Sequence, residues 1–386
     1  MQHLNFQTKI VPCQPQVQIL PGRVWPSGGG SGNLPQKQGG SVTAEDLAER
    51  IVAGDRRALA RGITLVESQR PDHRQAALAL LSTLARATHR REALRIGLTG
   101  TPGVGKSTFI EALGLRLTAE GKRVAVLAVD PSSARSGGSI LGDKTRMELL
   151  SRDRNAFIRP SPSQTTLGGL ARRSREAVAL CEAAGFDVVL IETVGVGQSE
   201  TTVAALCDIF LLLMAPAGGD ELQGVKRGIM EMADLILVNK ADGDLLPAAR
   251  RTVGDYAGAL RLLRRRPQDP PDFPAVLAVS ATTGTGLDAA WQAATALAHW
   301  RRAEGHWSAT RAAQARHWFG AELRDGLLAV LSTPPGAALV ASLGAAVTRG
   351  EITPEAAATE ALRRLDAARQ AAPDSPMPPA GIFGER

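Results

Sequence analysis

GLTGTPGVGKSTFIEALG, Gly97 to Gly114, decides the fold. Inside it, Gly100 to Ser107 reads G-T-P-G-V-G-K-S and satisfies G-x-x-x-x-G-K-[ST] at every fixed position. The stretch follows an apolar run and opens a helical pattern, the context in which a glycine-rich turn holds phosphate. Gly100, Gly103 and Gly105 let backbone N–H groups approach phosphate oxygens with no Cβ in the way. A helix starting near Lys106 adds the positive end of its dipole. The Lys106 ammonium is expected to reach the β- and γ-phosphates, and the Ser107 hydroxyl to hold Mg2+. Val104 and Thr108 complete the expected phosphate-binding set. Without ligand, Lys106 is expected to face solvent.

Outward from this loop, short apolar runs alternate with helical segments. After RIGLTG come RVAVLAVD (Arg123–Asp130), DVVLIET (Asp187–Thr193), IFLLLMAP (Ile209–Pro216), LILVNKAD (Leu235–Asp242) and AVLAVSA (Ala275–Ala281). Runs that are apolar on both faces suit buried parallel strands. Their alternation with helices predicts an α/β fold with a mostly parallel, doubly wound sheet. Ligands of such sheets sit at the carboxyl ends of the strands, so the polar residues ending these runs are the candidate site.

NKAD, Asn239 to Asp242, ends one run. The Asp242 carboxylate can accept from the N1–H and 2-amino groups of guanine, a donor pair that adenine lacks, and an unpaired buried acceptor rejects the wrong base. Asn239, Lys240 and Asp242 are the expected base readers, with Ser280 and Ala281 of VSA, Val279–Ala281, beside them. The nucleotide is therefore expected to be GTP or GDP. ETVGVGQSE, Glu192 to Glu200, ends another run. Glu192 is expected to hold Mg2+ through water, and Gly195 lets the backbone approach the γ-phosphate. In AVDPSSARSGGSILGDKTRM, Ala128 to Met147, Asp130 and Asp143 bracket a glycine-rich loop that reads as a switch sensing nucleotide state. No water-orienting residue stands out; Gln198 is considered, and a structural role is preferred for it.

GTPGVGKS, VDPSS, GDKTRM, ETVGVGQSE, GDELQG and NKAD, in this order, resemble the MeaB/ArgK family, over a stretch from about Ala44 to the C-terminus. Where most GTPases carry Asp, this chain has Glu192, and APAGGDELQG, Ala215–Gly224, departs slightly from the family's wording. The resemblance implies a P-loop GTPase that binds GTP and Mg2+ and acts as a chaperone of methylmalonyl-CoA mutase or a related adenosylcobalamin-dependent mutase. It implies that Asp130, Asp143 and Glu192, with Ser107, surround the metal and the γ-phosphate. Lys106, Glu192 and Asp130 are the expected hydrolytic set. It implies a further mobile switch over Asp220 to Lys226, including Glu221 and Gln223, and a homodimer formed through the C-terminal helical part. Hydrolysis would gate delivery of the cobalamin cofactor. Three rivals are weighed: a kinase tied to basic amino-acid transport, a nickel-insertion GTPase, and a binding module with a degenerate site. The six His, without a His-rich tract, speak against the second.

The rest of the chain sets limits. Residues 1–43, rich in Gln, Pro and Gly, read as a disordered leader, 44–92 as a helical domain, 93–290 as the P-loop domain and 291–386 as a helical dimerisation region. A net charge of +7 suits an acidic ligand. Arg is spread along the chain and aromatics make up only 4%, so no nucleic-acid partner is expected. The longest apolar run, Ile209 to Ala217, is far short of the ~20 residues that cross a membrane. The expected compartment is the cytoplasm, with the mitochondrial matrix as alternative. Cys181 and Cys207 read as small buried hydrophobes. TPPGA, Thr333 to Ala337, breaks the C-terminal helices. His-Trp recurs at 299–300, 306–307 and 317–318, spacings that put all three Trp on one helix face, with a break possible at Gly305. A core-facing stripe is preferred for it over an interface and over a metal site.

Overall fold

The computed structural model describes residues 43–68, 70–86, 92–129, 147–160, 167–193, 199–216, 227–263 and 266–370. Three helices come first: α1 (Ala44–Val52), α2 (Arg56–Glu67) and α3 (Pro71–Arg86). Each of the first two begins at a residue able to satisfy orphan N–H groups. Thr43 Oγ1 accepts from the Asp46 N–H over 3.1 Å, and Asp55 Oδ1 accepts from Arg57 over 2.8 Å and from Ala58 over 3.1 Å.

The central region alternates as the sequence predicts: β1 (Leu94–Gly100), α4 (Lys106–Ala119), β2 (Val124–Val129), α5 (Glu148–Arg152), β3 (Ala156–Arg159), α6 (Leu167–Ala183) and β4 (Val188–Thr193). It continues through α7 (Ser199–Ala204), β5 (Ile209–Met214), α8 (Arg227–Met232), β6 (Leu235–Val238), α9 (Leu246–Arg261) and β7 (Ala275–Ala278). The seven strands form one sheet in the order β3-β2-β4-β1-β5-β6-β7, every neighbouring pair parallel. β3 is the strand that the sequence reading lacks; AFIR is four residues long, ends on a charge and closes an edge.

Strand alternation feeds two cores, one on each face of the sheet. Ile96, Leu98, Leu211 and Leu213 pack with Phe109 and Ile110 of α4 on one face. Ala125, Leu127, Phe210 and Leu212 pack on the other face, whose core also takes in Ile51, Leu59, Ile63 and Leu80 of α1–α3 and Leu180 of α6. The N-terminal helices thus share a core with the sheet. Cys181 and Cys207 are buried in it, and burial pushes both thiols up from their ordinary pKa.

Four helices follow: α10 (Leu287–Ala303), α11 (His306–Leu331), α12 (Pro334–Thr348) and α13 (Pro354–Gln370). Thr333 caps α12 and Pro334 begins it, where a missing N–H costs nothing. The tryptophan stripe is not a single face. Gly305, at φ 75°, ends α10 before α11 begins, so Trp300 belongs to one helix and Trp307 and Trp318 to the next. Trp307 is buried in the core of α4, whereas Trp318 is buried in the core of α6. The helix reaches both because it runs across the amino end of the sheet. Between the two Trp, Arg311 donates to the Ala93 carbonyl over 2.7 Å and to Asp208 over 2.8 Å, and Gln314 donates to the Cys207 carbonyl over 2.8 Å. Trp307 itself donates to Glu92 over 3.0 Å and lies under the Arg302 and Arg311 guanidinium groups. Breaking the buried Arg311–Asp208 ion pair from one side costs about 3–5 kcal/mol. No single described helix is long and apolar enough to cross a membrane.

Candidate nucleotide site

The site lies at the carboxyl end of the sheet. β1 runs into the glycine-rich turn, and α4 starts at Lys106 with Gly105 as its N-cap at φ 92° and no side-chain cap. Its first N–H groups are therefore presented outward, the arrangement that takes an anion. Two glycines are required here for different reasons. A Cβ on Gly100 would stand 2.3 Å from the Leu213 carbonyl oxygen of β5. A Cβ on Gly105 would stand 2.8 Å from Asn239 Nδ2, at a φ that L-residues rarely adopt. Gly103 and Thr108 are exposed, and Val104 is buried beneath the turn.

Lys106 departs from expectation. It is buried, and its ammonium donates to the Gly100 carbonyl over 2.8 Å and the Thr101 carbonyl over 3.2 Å. The i to i−6 geometry folds the side chain back over the turn, so the charge sits inside the cradle rather than in solvent. Ser107, half-buried one residue on, donates to Glu192 Oε1 over 3.2 Å. Glu192 is buried on β4, in register with Leu98 of β1 and Ala128 of β2. Two residues 85 positions apart thus place a hydroxyl and a carboxylate side by side at the head of α4. Oxygen donors of this kind suit Mg2+, which takes one or two protein ligands and fills its octahedron with phosphate and water.

Across from the turn, three loop ends converge. Asn239, buried after β6, donates to the Val104 carbonyl over 2.9 Å and accepts from the Ala281 N–H over 3.1 Å. Lys240 is exposed at φ 58°, a strained value for a non-glycine residue. Asp242 is half-buried and accepts a hydrogen bond from the Ser280 hydroxyl. Ser280 is fully buried and its Oγ also accepts from the Thr283 N–H over 3.1 Å, which orients the hydroxyl toward the carboxylate. One edge of Asp242 is thereby positioned.

Of the expected residues, the structure brings Lys106, Ser107 and Glu192 together at the turn, and Asn239, Asp242, Ser280 and Ala281 together beside it. Asp130, Asp143, Gln198, Asp220, Glu221, Gln223 and Lys226 lie outside the described residues. Among the described residues no cluster of three His, Cys, Asp or Glu side chains could hold a metal by itself. The sequence reading missed Thr99 and Thr193, whose hydroxyls meet beneath the turn over 2.9 Å. Only the position of each Thr at a strand end, next to a site residue, pointed to them. A separate cleft of about 850 Å3 opens beside β7, against Arg261 and Phe273. None of the site residues lines it, so the chemistry and not the volume locates the site.

A parallel sheet with this turn after its first strand defines a P-loop nucleotide-binding protein. The model of the family described as methylmalonyl Co-A mutase-associated GTPase MeaB matches residues 59–335. The chain belongs to that family and is a GTPase. A protein named as a GTPase in Caulobacter vibrioides is 57% identical over 324 residues, 83% of this chain and 98% of that one. The mouse protein named methylmalonic aciduria type A homolog, mitochondrial, is 49% identical over 293 residues, 74% of this chain and 70% of that one. A crystal structure titled LAO/AO transport system kinase superposes with a TM-score of 0.63 at 36% identity, covering 86% of this chain and 99% of that one.

Proposed function

We propose that this GTPase is a chaperone of methylmalonyl-CoA mutase or a related adenosylcobalamin-dependent acyl-CoA mutase, and that its hydrolysis of GTP gates loading or repair of the mutase cofactor. The family description names the mutase. The observation that carries the nucleotide half is the Asn239 bridge, which ties the phosphate turn to the loop holding Asp242 and Ser280.

In this reading Lys106 exchanges its two carbonyl partners for β- and γ-phosphate oxygens, while the N–H groups of Gly103 to Thr108 surround the phosphates. Asp242, held by Ser280, reads the guanine edge. Ser107 and Glu192 would hold Mg2+, and Asp130 and Asp143 are proposed as further carboxylates around it. When bound, the ion neutralises charge on the phosphate oxygens. Lys106 and the turn N–H groups stabilise the charge that develops as water attacks in line. The Asp220–Lys226 loop, with Glu221 and Gln223, is the proposed relay to the mutase.

The C-terminal helices are the proposed homodimer surface. Phe319, Leu323, Leu327 and Leu328 of α11, Val340 of α12 and Leu362 of α13 are all exposed large hydrophobics. Isolated exposed apolar residues need no explanation; the row at i, i+4 and i+8 of one helix is what supports this reading. The proposed compartment is the cytoplasm, with the mitochondrial matrix as second reading because one relative is named mitochondrial.

GTP turnover with and without purified methylmalonyl-CoA mutase, with ATP as control, tests the proposal. Slow GTP turnover that the mutase accelerates supports it. Turnover indifferent to the mutase moves the client elsewhere, and phosphate transfer to a protein acceptor would favour the kinase reading.

A further inference from the structure

Two strands of the site part company at one level of the sheet. The β1–β4 register runs from Leu94↔Val188 to Leu98↔Glu192. One residue further on, Thr99 is registered with Leu212 of β5 and Thr193 with Val129 of β2. Above Leu98 and Glu192, then, β1 stays with one neighbour and β4 with the other. Across the parting, Thr193 Oγ1 donates to Thr99 Oγ1 over 2.9 Å. The two residues are 0% and 2% exposed.

Hydroxyls are costly in the middle of an apolar sheet unless paired, and valine would have the same shape without the cost. The residues on either side show what the pair does. Gly100 follows Thr99, and its carbonyl accepts from Lys106. Glu192 precedes Thr193, and its carboxylate accepts from Ser107. The pair therefore sits between the strand end that carries the phosphate cradle and the strand end that carries the buried carboxylate.

We propose that Thr99 and Thr193 form a positioning clasp for GTP hydrolysis, which sets the distance between the phosphate turn on β1 and Glu192 on β4. The clasp touches neither phosphate nor metal. It rests on the GTPase assignment and on Glu192 acting with Ser107 toward Mg2+. Nucleotide binding in the absence of Mg2+ depends on the turn and the base loops, which the clasp does not join. Mg2+ dependence and kcat depend on the spacing that it sets.

The test uses the full chain with Thr99→Val, Thr193→Val, Thr193→Ser and the double valine variant. Three quantities are read: the urea midpoint, GDP affinity in EDTA, and kcat for GTP as a function of Mg2+. Each single valine is expected to leave one buried hydroxyl unpaired, lower the urea midpoint, and raise half-saturating Mg2+ or lower kcat by about fivefold, the scale of one hydrogen bond. GDP affinity in EDTA stays within about twofold on the same scale. Thr193→Ser keeps both stability and kcat. The double variant, with no orphaned hydroxyl, recovers the urea midpoint but not the Mg2+ dependence or kcat. Recovery of kcat along with stability in the double variant would reduce the pair to a structural role and overturn the clasp. So would single variants with unchanged Mg2+ dependence and kcat, or a serine variant as impaired as valine. A wild-type chain without Mg2+-dependent GTP turnover would sink the GTPase reading first and the clasp with it.

Discussion

Asn239 and Val104 are 135 residues apart, and the Asn239 amide donates to the Val104 carbonyl over 2.9 Å. The same side chain accepts from the Ala281 N–H over 3.1 Å, so one amide ties the phosphate turn to the loop after β7. Asn239→Ala orphans a buried carbonyl and a buried N–H. It is expected to lower stability by roughly 2 kcal/mol or more and to weaken GDP binding. Urea denaturation and a GDP titration check both. An unchanged urea midpoint would show that the bridge carries no weight in the free protein.

Lys106→Ala is expected to reduce GTP turnover by about 100-fold or more, the scale for removing a group that meets developing charge. Burial of Lys106 over the Gly100 and Thr101 carbonyls adds a second consequence. The variant loses two hydrogen bonds inside the turn, and a stability loss of about 1 kcal/mol is expected. Turnover assays and thermal melts separate the two effects. Full turnover would remove the phosphate-binding role.

Asp242→Asn turns a carboxylate acceptor into a side chain that also donates. The GTP-over-ATP preference is expected to fall by at least an order of magnitude, because guanine's two donors lose their paired acceptor. Competition of GTP, ATP and xanthosine triphosphate for the site measures it, with xanthosine triphosphate gaining, since its 2-oxo group can accept from the new amide. An unchanged preference would show that Asp242 does not read the base.

Phe319 and Leu323 are 70% and 54% exposed. The double variant Phe319→Ser, Leu323→Ser should change the stability of the isolated chain by no more than about 0.5 kcal/mol. It should convert a dimer to a monomer at micromolar concentration, read by light scattering. A dimer that survives the change would move the interface off α11.

The phosphate turn was legible because its chemistry is local. Gly100 to Ser107 carries three glycines in the turn and a lysine and a hydroxyl at the head of a helix, all within a few residues. The position of Asp242 and Glu192 at the carboxyl end of the sheet was legible for a related reason: each ends an apolar run, and the strands run parallel. β3 was not, because four residues ending in Arg159 carry too few positions for a period to register. The tryptophan spacing puts three rings on one face only in an unbroken helix, and Gly305 is the break, between Trp300 and Trp307.

By itself the sequence determined the alternation of strands and helices, the phosphate turn and the polar residues that close the strands, since backbone preference and side-chain period act over a few neighbouring residues. Only the tertiary structure decided that β4 lies between β1 and β2, which sets Glu192 beside Ser107 and Thr193 beside Thr99. It alone turned Lys106 inward and sent Trp307 and Trp318 to opposite faces of the sheet. These relations join residues tens of positions apart, or depend on what packs above a side chain. They are settled when two cores close on one sheet, a step that no local pattern encodes.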